Sequence, residues 1–203
     1  MISYIVASNN DEVLDANLRA TLELVGDDEL VVVEDPPSIA VAYNKGQAQA
    51  RNPIRCYVHS DVQFRDPAGL RAGLIQHCTN AVGMVGLIGS FDRALPWWEA
   101  REGRGAVVDV RMGLLAFART GPCSYLDGLL LATAHELTWD ESYPGFHMYD
   151  HDICEQMLAR GLSNYCMPGG PAVLHNTRNP SDVAKLNGWD AAVNRFRDKW
   201  GTA

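Results

Sequence analysis

No apolar run in this 203-residue chain reaches the length needed to span a bilayer. The opening MISYIVASNND has neither a basic leader nor an apolar h-region, so no signal peptide is expected. The five cysteines (Cys56, Cys78, Cys123, Cys154, Cys166) are scattered, odd in number and form no C-x-x-C. That argues for reduced thiols in a cytoplasmic setting. Basic charge is scarce: 17 Lys and Arg stand against 25 Asp and Glu, for a net charge of −8. Such a balance opposes a broad nonspecific grip on nucleic acid. The chain has no Walker A motif, no G-x-S-x-G and no repeat or low-complexity tract. Gly83, Gly86 and Gly89 are spaced G-x-x-G-x-x-G, which is not the dinucleotide fingerprint.

The residues that are present describe a globular α/β chain. Hydrophobic content of 47% and charged content of 21% are ordinary for one packed domain, and the whole of 1–203 is read as that domain. SYIVAS, ELVVVE and IRCYVH are continuous apolar runs, and the segments between them carry helical spacing. Leu14, Leu18, Leu22 and Val25 predict a helix closed by Gly26. A helix is also predicted over 39–50, and Asp66-Pro67 is an N-cap with proline at the first helical position. Residues 81–89 read as a strand, 106–120 as one or two strands, 126–137 as a short helix, and 150–160 as a helix ended by Gly161. PAVLHN is a late strand, and an amphipathic helix over about 181–200 closes the chain. Strands alternating with helices predict a three-layer α/β/α fold on a mostly parallel central sheet.

Ligands bind such sheets beyond the carboxyl ends of the strands. Three polar strand ends are expected to converge there: Ser8-Asn9, Glu34-Asp35 and His59-Ser60-Asp61. Asp61 is either a turn cap or a ligand for a divalent cation, which a few carboxylates and a substrate diphosphate commonly share. His175, at the end of the late strand, reads as a backbone-bonded histidine when taken alone. Asp150 and Asp152 open a helix; one suits the helix dipole, which leaves the other as a candidate general base. His147 and His151 have zincin spacing, but Met148 stands where that motif needs glutamate. Arg93 is a surface charge or a phosphate clamp. Trp97-Trp98 is a core corner or an exposed stacking surface.

Taken in order, these pieces resemble family-2-like glycosyltransferases of the GT-A fold, more narrowly the streptomycin-biosynthesis type, over about residues 2–178. The matching segments are SYIVASNN, VVVED, SIAVAYNKGQAQA, HSD, VVDVRMGLLAFART, WDESYPGFHMYDHDICEQMLARGL and AVLH. The resemblance implies transfer of a sugar from a UDP- or GDP-linked donor to an acceptor hydroxyl, with inversion. It implies that Ala7, Ser8 and Asn9 contact the nucleotide, that Glu34 or Asp35 faces its base or ribose, and that Asn44 and Gly46 border base and phosphate. Asp61 and His175 would hold Mn²⁺ or Mg²⁺ on the diphosphate. Asp150 would be the base, and Arg93, Trp97, Trp98 and Asp109 would belong to the donor and acceptor loops. The acceptor implied is a small metabolite or a glycan, with a hydroxymethylated DNA base less favoured by the acidic charge; no membrane partner is implied.

Two positions depart from the family pattern. His59 replaces the first acid of the D-x-D triplet, and Tyr149 replaces the glutamate of the Glu-Asp pair. They motivate a second reading, a module that binds a nucleotide or nucleotide sugar without turning it over. A nucleotidyltransferase would want a glycine-rich loop after the first strand, where this chain has SNNDEVLD. A local basic face on the tail, from Arg178, Lys185, Arg195, Arg197 and Lys199, is the feature that would support DNA; the alternative is a solvated helix surface.

Overall fold

A computed structural model describes residues 1–93, 100–176 and 188–201. Trp97, Trp98, Arg178, Lys185 and the first part of the expected tail helix lie outside the described residues.

The first strand, β1 (Ile2–Ser8), is buried along nearly its whole length. That follows from its position between two parallel neighbours, β2 (Glu29–Glu34) and β3 (Ile54–His59). The register pairs Ser8 with Glu34 and Ala7 with His59, so the polar ends of all three strands lie along one edge. The seven-stranded sheet runs β2-β1-β3-β11-β5-β12-β9, with β5 (Val82–Gly86), β9 (Gly121–Cys123), β11 (Leu130–Thr133) and β12 (Ser163–Cys166). Strands β2, β1, β3, β5 and β12 point one way; β11 and β9 are reversed. The sheet is therefore mostly parallel in direction but mixed in its pairings.

A second sheet, β10-β6-β7-β13-β4, carries β8 on β7. Its strands are β4 (Val62–Phe64), β6 (Ile88–Ser90), β7 (Gly103–Asp109), β8 (Gly113–Ala116), β10 (Tyr125–Leu126) and β13 (Val173–His175). The expected strand over 81–89 is thus two strands in different sheets, broken at Leu87. The glycines there serve close packing. A Cβ on Gly83 would meet the Met157 side chain and on Gly86 the Leu126 side chain, and on Gly89 it would run into the Tyr125 carbonyl.

The helices are α1 (Asp11–Leu14, widened to a π turn over Asp15–Arg19), α2 (Ile39–Gln49), α3 (Pro67–His77), α4 (Tyr149–Ala159) and α5 (Trp189–Trp200). Side chains of Asn10, Ser38 and Asp66 cap the first three in the way their residue types favour. Leu14 and Leu18 are buried as spaced, but the chain has left the helix by Leu22, and Val25 is exposed.

The expected helix over 126–137 is instead the end of β10, a turn at Asp127-Gly128-Leu129, and β11. Leu130 and Leu131 pair with Val58 and Gly86 on either side. A short apolar run buried from both faces has no periodicity that distinguishes strand from helix.

Candidate active site

The edge formed by β1 and β3 opens into a cleft of about 280 Å³. Ala7, Ser8 and Asn9 line it from β1, His59, Ser60 and Asp61 from β3 and the turn after it. Pro36 and Ile39 join them, and Phe146, His147 and Tyr149 form the opposing wall. Asp35 lies beside this group: its N–H donates to the Ser8 carbonyl at 2.9 Å, and its φ of 44° turns the chain toward Pro36. Aspartate tolerates that left-handed backbone better than most residues. Glu34 and Asp35 are both exposed, and neither side chain lines the cleft.

His175 reaches the same place from the second sheet. Strand β13 lies between β7 and β4, with His175 paired to Asp109 on one side and Val62 on the other. Its Nε2 is 3.4 Å from Asp61 Oδ1 and its Nδ1 3.4 Å from Asp109 Oδ2. Asp109 is almost fully buried, and its Oδ1 accepts from the N–H groups of Arg111 and Met112 in the β7–β8 turn. It sits behind His175, where an oriented carboxylate fixes a ring's tautomer. His59, Asp61 and His175 each offer a ligand atom, all within 4.8 Å of one another.

The charges follow from burial and proximity. Burial lowers the pKa of His59 and outweighs the opposing charge of Asp61, so this ring is held neutral. Burial alone would raise Asp61, but the hydrogen bond from His175 and the charge of that ring bring it down to about 2. Burial alone would lower His175; Asp61, Asp127 and Asp109 reverse that and raise it.

Helix α4 starts abruptly. Met148, buried, has φ 62°, a strained conformation for a residue with a side chain, costing about 1–3 kcal/mol. The kink puts Tyr149 in the cleft wall and Asp150 in the first helical turn. Tyr149 packs in an aromatic cluster with Tyr43 and Trp139, and its hydroxyl meets His59 Nε2 at 2.7 Å. Asp150 Oδ1 accepts from the His151 N–H and faces His151 Nδ1 at 2.9 Å; its Oδ2 accepts from Gly128 N–H at 3.2 Å. Burial would raise this carboxyl, but the His151 charge and these hydrogen bonds lower it.

Asp152 has a different role. Its side chain is 2% exposed and takes donors from Tyr143, Gln156, Lys199 and Trp200. It is a structural acid, which leaves Asp150 as the carboxylate near the cleft. His147 lines the cleft, whereas His151 is buried against Tyr125 and Phe196. Among the described residues the metal-type cluster contains neither of these two histidines.

Several expected site residues lie elsewhere. Asn44 holds the loop after β11: its side chain donates to the Trp139 carbonyl and Glu141, and accepts from Trp139 N–H. Gly46 faces the sheet, where a Cβ would collide with Ile5. Arg93 pairs with the buried Glu155 at 3.5 Å and does not line the cleft. Trp97 and Trp98 lie outside the described residues. Arg195 and Lys199 of the supposed basic face are spent on Asp140 and Asp152.

The sequence reading missed Asp127. Burial and the charge of Asp150 raise its pKa, and it also feels His175 and His59. The Asp-Gly pair in YLDGLLL is a turn signal and was the available clue.

The chain belongs to a family described as "Glycosyltransferase like family", whose model matches residues 3–180. Its fold is of the GT-A type, shared with solved glycosyltransferases. The mannosyltransferase PcManGT from Pyrobaculum calidifontis, solved in complex with GDP-Man and Mn²⁺, is 14% identical with a TM-score of 0.62. That match covers 96% of this chain and 64% of the mannosyltransferase chain. S. aureus TarS 1–349 is 13% identical at TM-score 0.57, over 97% of this chain and 72% of TarS. In complex with UDP-GlcNAc, TarS 1–349 is 13% identical at TM-score 0.58, over 90% of this chain and 60% of TarS. No curated protein sequence gives a significant match. No described helix is long and apolar enough to cross a membrane.

Proposed function

We propose that this protein is a metal-dependent, inverting glycosyltransferase that moves a sugar from a UDP- or GDP-linked donor to an acceptor hydroxyl. The observation that carries the reading is the convergence of His59, Asp61 and His175, the first two lining a cleft bordered by the β1 end, with Asp150 in the first turn of the helix beside it. Family membership and the nucleotide-sugar complexes of the two similar structures support it.

The donor set fits a divalent cation. Asp61 is ionised, His59 is neutral, and Asp109 orients His175. Because Tyr149 takes Nε2 of His59, Nδ1 is the nitrogen left for an ion. Two imidazoles and one carboxylate suit Mn²⁺ better than Mg²⁺, which prefers oxygen ligands. When bound, the cation would neutralise charge growing on the leaving diphosphate.

The chain's own groups supply the rest. Ala7, Ser8 and Asn9 border the nucleotide. Asp150, depressed and therefore ionised, accepts the acceptor's hydroxyl proton as that oxygen bonds to the anomeric carbon. The bond from that carbon to the diphosphate oxygen breaks, and the nucleoside diphosphate leaves with the electron pair. Attack from the face opposite the leaving group inverts the anomeric centre. The acceptor is a small metabolite or glycan: no lysine or arginine lines the described cleft, which gives a DNA backbone no purchase.

Calorimetric titration of UDP and GDP into wild type and Asp61→Ala, with and without Mn²⁺, tests the reading. Metal-dependent binding by the wild type that disappears in the variant is expected. Metal-dependent binding without any sugar turnover would favour a non-catalytic binding module. Failure of both nucleotides to bind the wild type would remove the donor assignment.

A further inference from the structure

Helix α5 lies beyond the span matched by the family, which ends at residue 180. It nevertheless grips the loop that forms one wall of the cleft. We infer that α5, acting through Asp152 and Asp140, is the positioning element for the wall loop 140–148, which carries Phe146 and His147. That this wall faces the acceptor rests on the glycosyltransferase reading; the grip itself does not.

The loop reads DESYPGFHM, with a proline, a positive-φ glycine and no regular structure. Left alone, such a segment samples many conformations. Besides the Asn44 amide of α2, which donates to Glu141, three sets of contacts through α5 and Asp152 hold it. At its start, Asp140 Oδ2 takes Lys199 Nζ at 2.8 Å and Arg195 at 3.2 Å, and Arg195 Nε donates to Ser142 Oγ at 2.9 Å. In its middle, the Tyr143 hydroxyl donates to Asp152 Oδ1 at 3.0 Å. That oxygen also takes Trp200 Nε1 at 2.8 Å and Lys199 Nζ at 2.7 Å from α5. Near its end, the His147 ring meets Trp189, the first residue of α5, edge to face at 5.3 Å.

Asp152 is the junction of this system. It stands two residues after Asp150 on α4, so one buried carboxylate ties together the catalytic helix, the wall loop and α5. A buried charge is expensive to strand, so its donors are held in one arrangement. Lys199 serves Asp140 and Asp152 together and is the side chain whose loss most directly uncouples α5 from the loop.

Hydrogen–deuterium exchange on the full chain tests this. In Arg195→Met/Lys199→Met, exchange across 140–148 should rise by about tenfold, while β1 and β3 stay protected. Lys199→Arg, which keeps the charge, should remain close to wild type. Arg19→Met, a loss of the surface ion pairs with Asp11 and Asp15 on α1 and its π turn, is the control and should leave the loop unchanged. Titration of UDP and GDP with Mn²⁺ should give affinities within about twofold of wild type in the double variant, because that side of the cleft is built on β1 and β3. Unchanged loop exchange, or an equal rise throughout the chain, would overturn the inference. If the double variant does not fold, Trp200→Phe removes one hydrogen bond to Asp152 while keeping a ring, and the same two outcomes decide. Absence of UDP and GDP binding in the wild type would remove the donor assignment but leave the loop result to stand on its own.

Discussion

Tyr149 and His59 meet hydroxyl to Nε2 at 2.7 Å, joining the two walls of the cleft. By resemblance, these are two positions that depart from the pattern of family-2-like glycosyltransferases, and they contact each other. The Tyr149 hydroxyl supports the His59 ring. For His59 Nδ1 to face an ion, Nε2 must carry the proton and donate it to the tyrosine oxygen. Tyr149→Phe removes that acceptor and keeps the ring within its aromatic cluster. Mn²⁺ affinity, measured by titration with nucleotide present, should weaken by about tenfold with little loss of folding stability. An unchanged affinity would mean that His59 is not a ligand.

The second prediction concerns Asp150. Asp150→Asn keeps the shape of the carboxyl and can still accept at one oxygen, but it cannot take a proton. Turnover should fall by about 10²–10⁴ while nucleotide affinity holds, because Asp150 lies behind Tyr149 and does not line the cleft where the nucleotide would sit. The anomeric configuration of the wild-type product, read by NMR, should be inverted relative to the donor. Retention would remove the base role.

Much of this site was legible before the structure, for physical reasons. Continuous apolar strands ending in polar triplets announce a parallel sheet edge, and Asp61 follows from that. Asp61 and His175 are separated by 114 positions, and only the register of β13 between β4 and β7 explains their meeting. Asp127 escaped because Leu129–Ala132 is buried from both sides and shows neither helical nor strand period. The nucleotide role of Asn44 is an implication of the resemblance; that its side chain bonds Trp139 and Glu141 depends on the packing of α2 against the loop after β11, which no local pattern shows. Nothing local to α5 reveals that Lys199 reaches Asp140 and Asp152; such long-range pairing emerges only when the chain has folded.

Acid should loosen the wall loop. Partial burial pushes Asp140 up, but hydrogen bonds from Lys199 and Ser142 and the Lys199 charge hold it well below the ordinary carboxylate range. In the unfolded chain it titrates near about 3.9. Its contribution to stability is therefore complete above that value and is lost as pH falls through it toward the folded pKa, because there the unfolded state binds more protons. Denaturant midpoints at neutral pH and near pH 3 should show a smaller acid loss for Asp140→Asn than for wild type. Equal losses would mean that the Asp140 pairs with Lys199 and Arg195 add nothing to the folded state.

Gly128 joins the turn after β10 to α4, the helix that carries the proposed base. Its N–H donates to Asp150 Oδ2, and a Cβ at this position would collide with the Tyr149 hydroxyl. Gly128→Ala therefore acts on Tyr149 directly, and through it on His59. The overpacking should cost about 1–3 kcal/mol, seen as a lower denaturant midpoint. Displacement of the tyrosine should also weaken Mn²⁺-dependent nucleotide binding, as Tyr149→Phe does. The double variant Gly128→Ala/Tyr149→Phe removes the hydroxyl contact but keeps ring carbons Cζ and Cε2, which the new methyl would still meet at 2.6 and 3.0 Å. Stability should return only in part in the double variant while the metal defect remains. If none returns, the hydroxyl is not what limits the fit at Gly128.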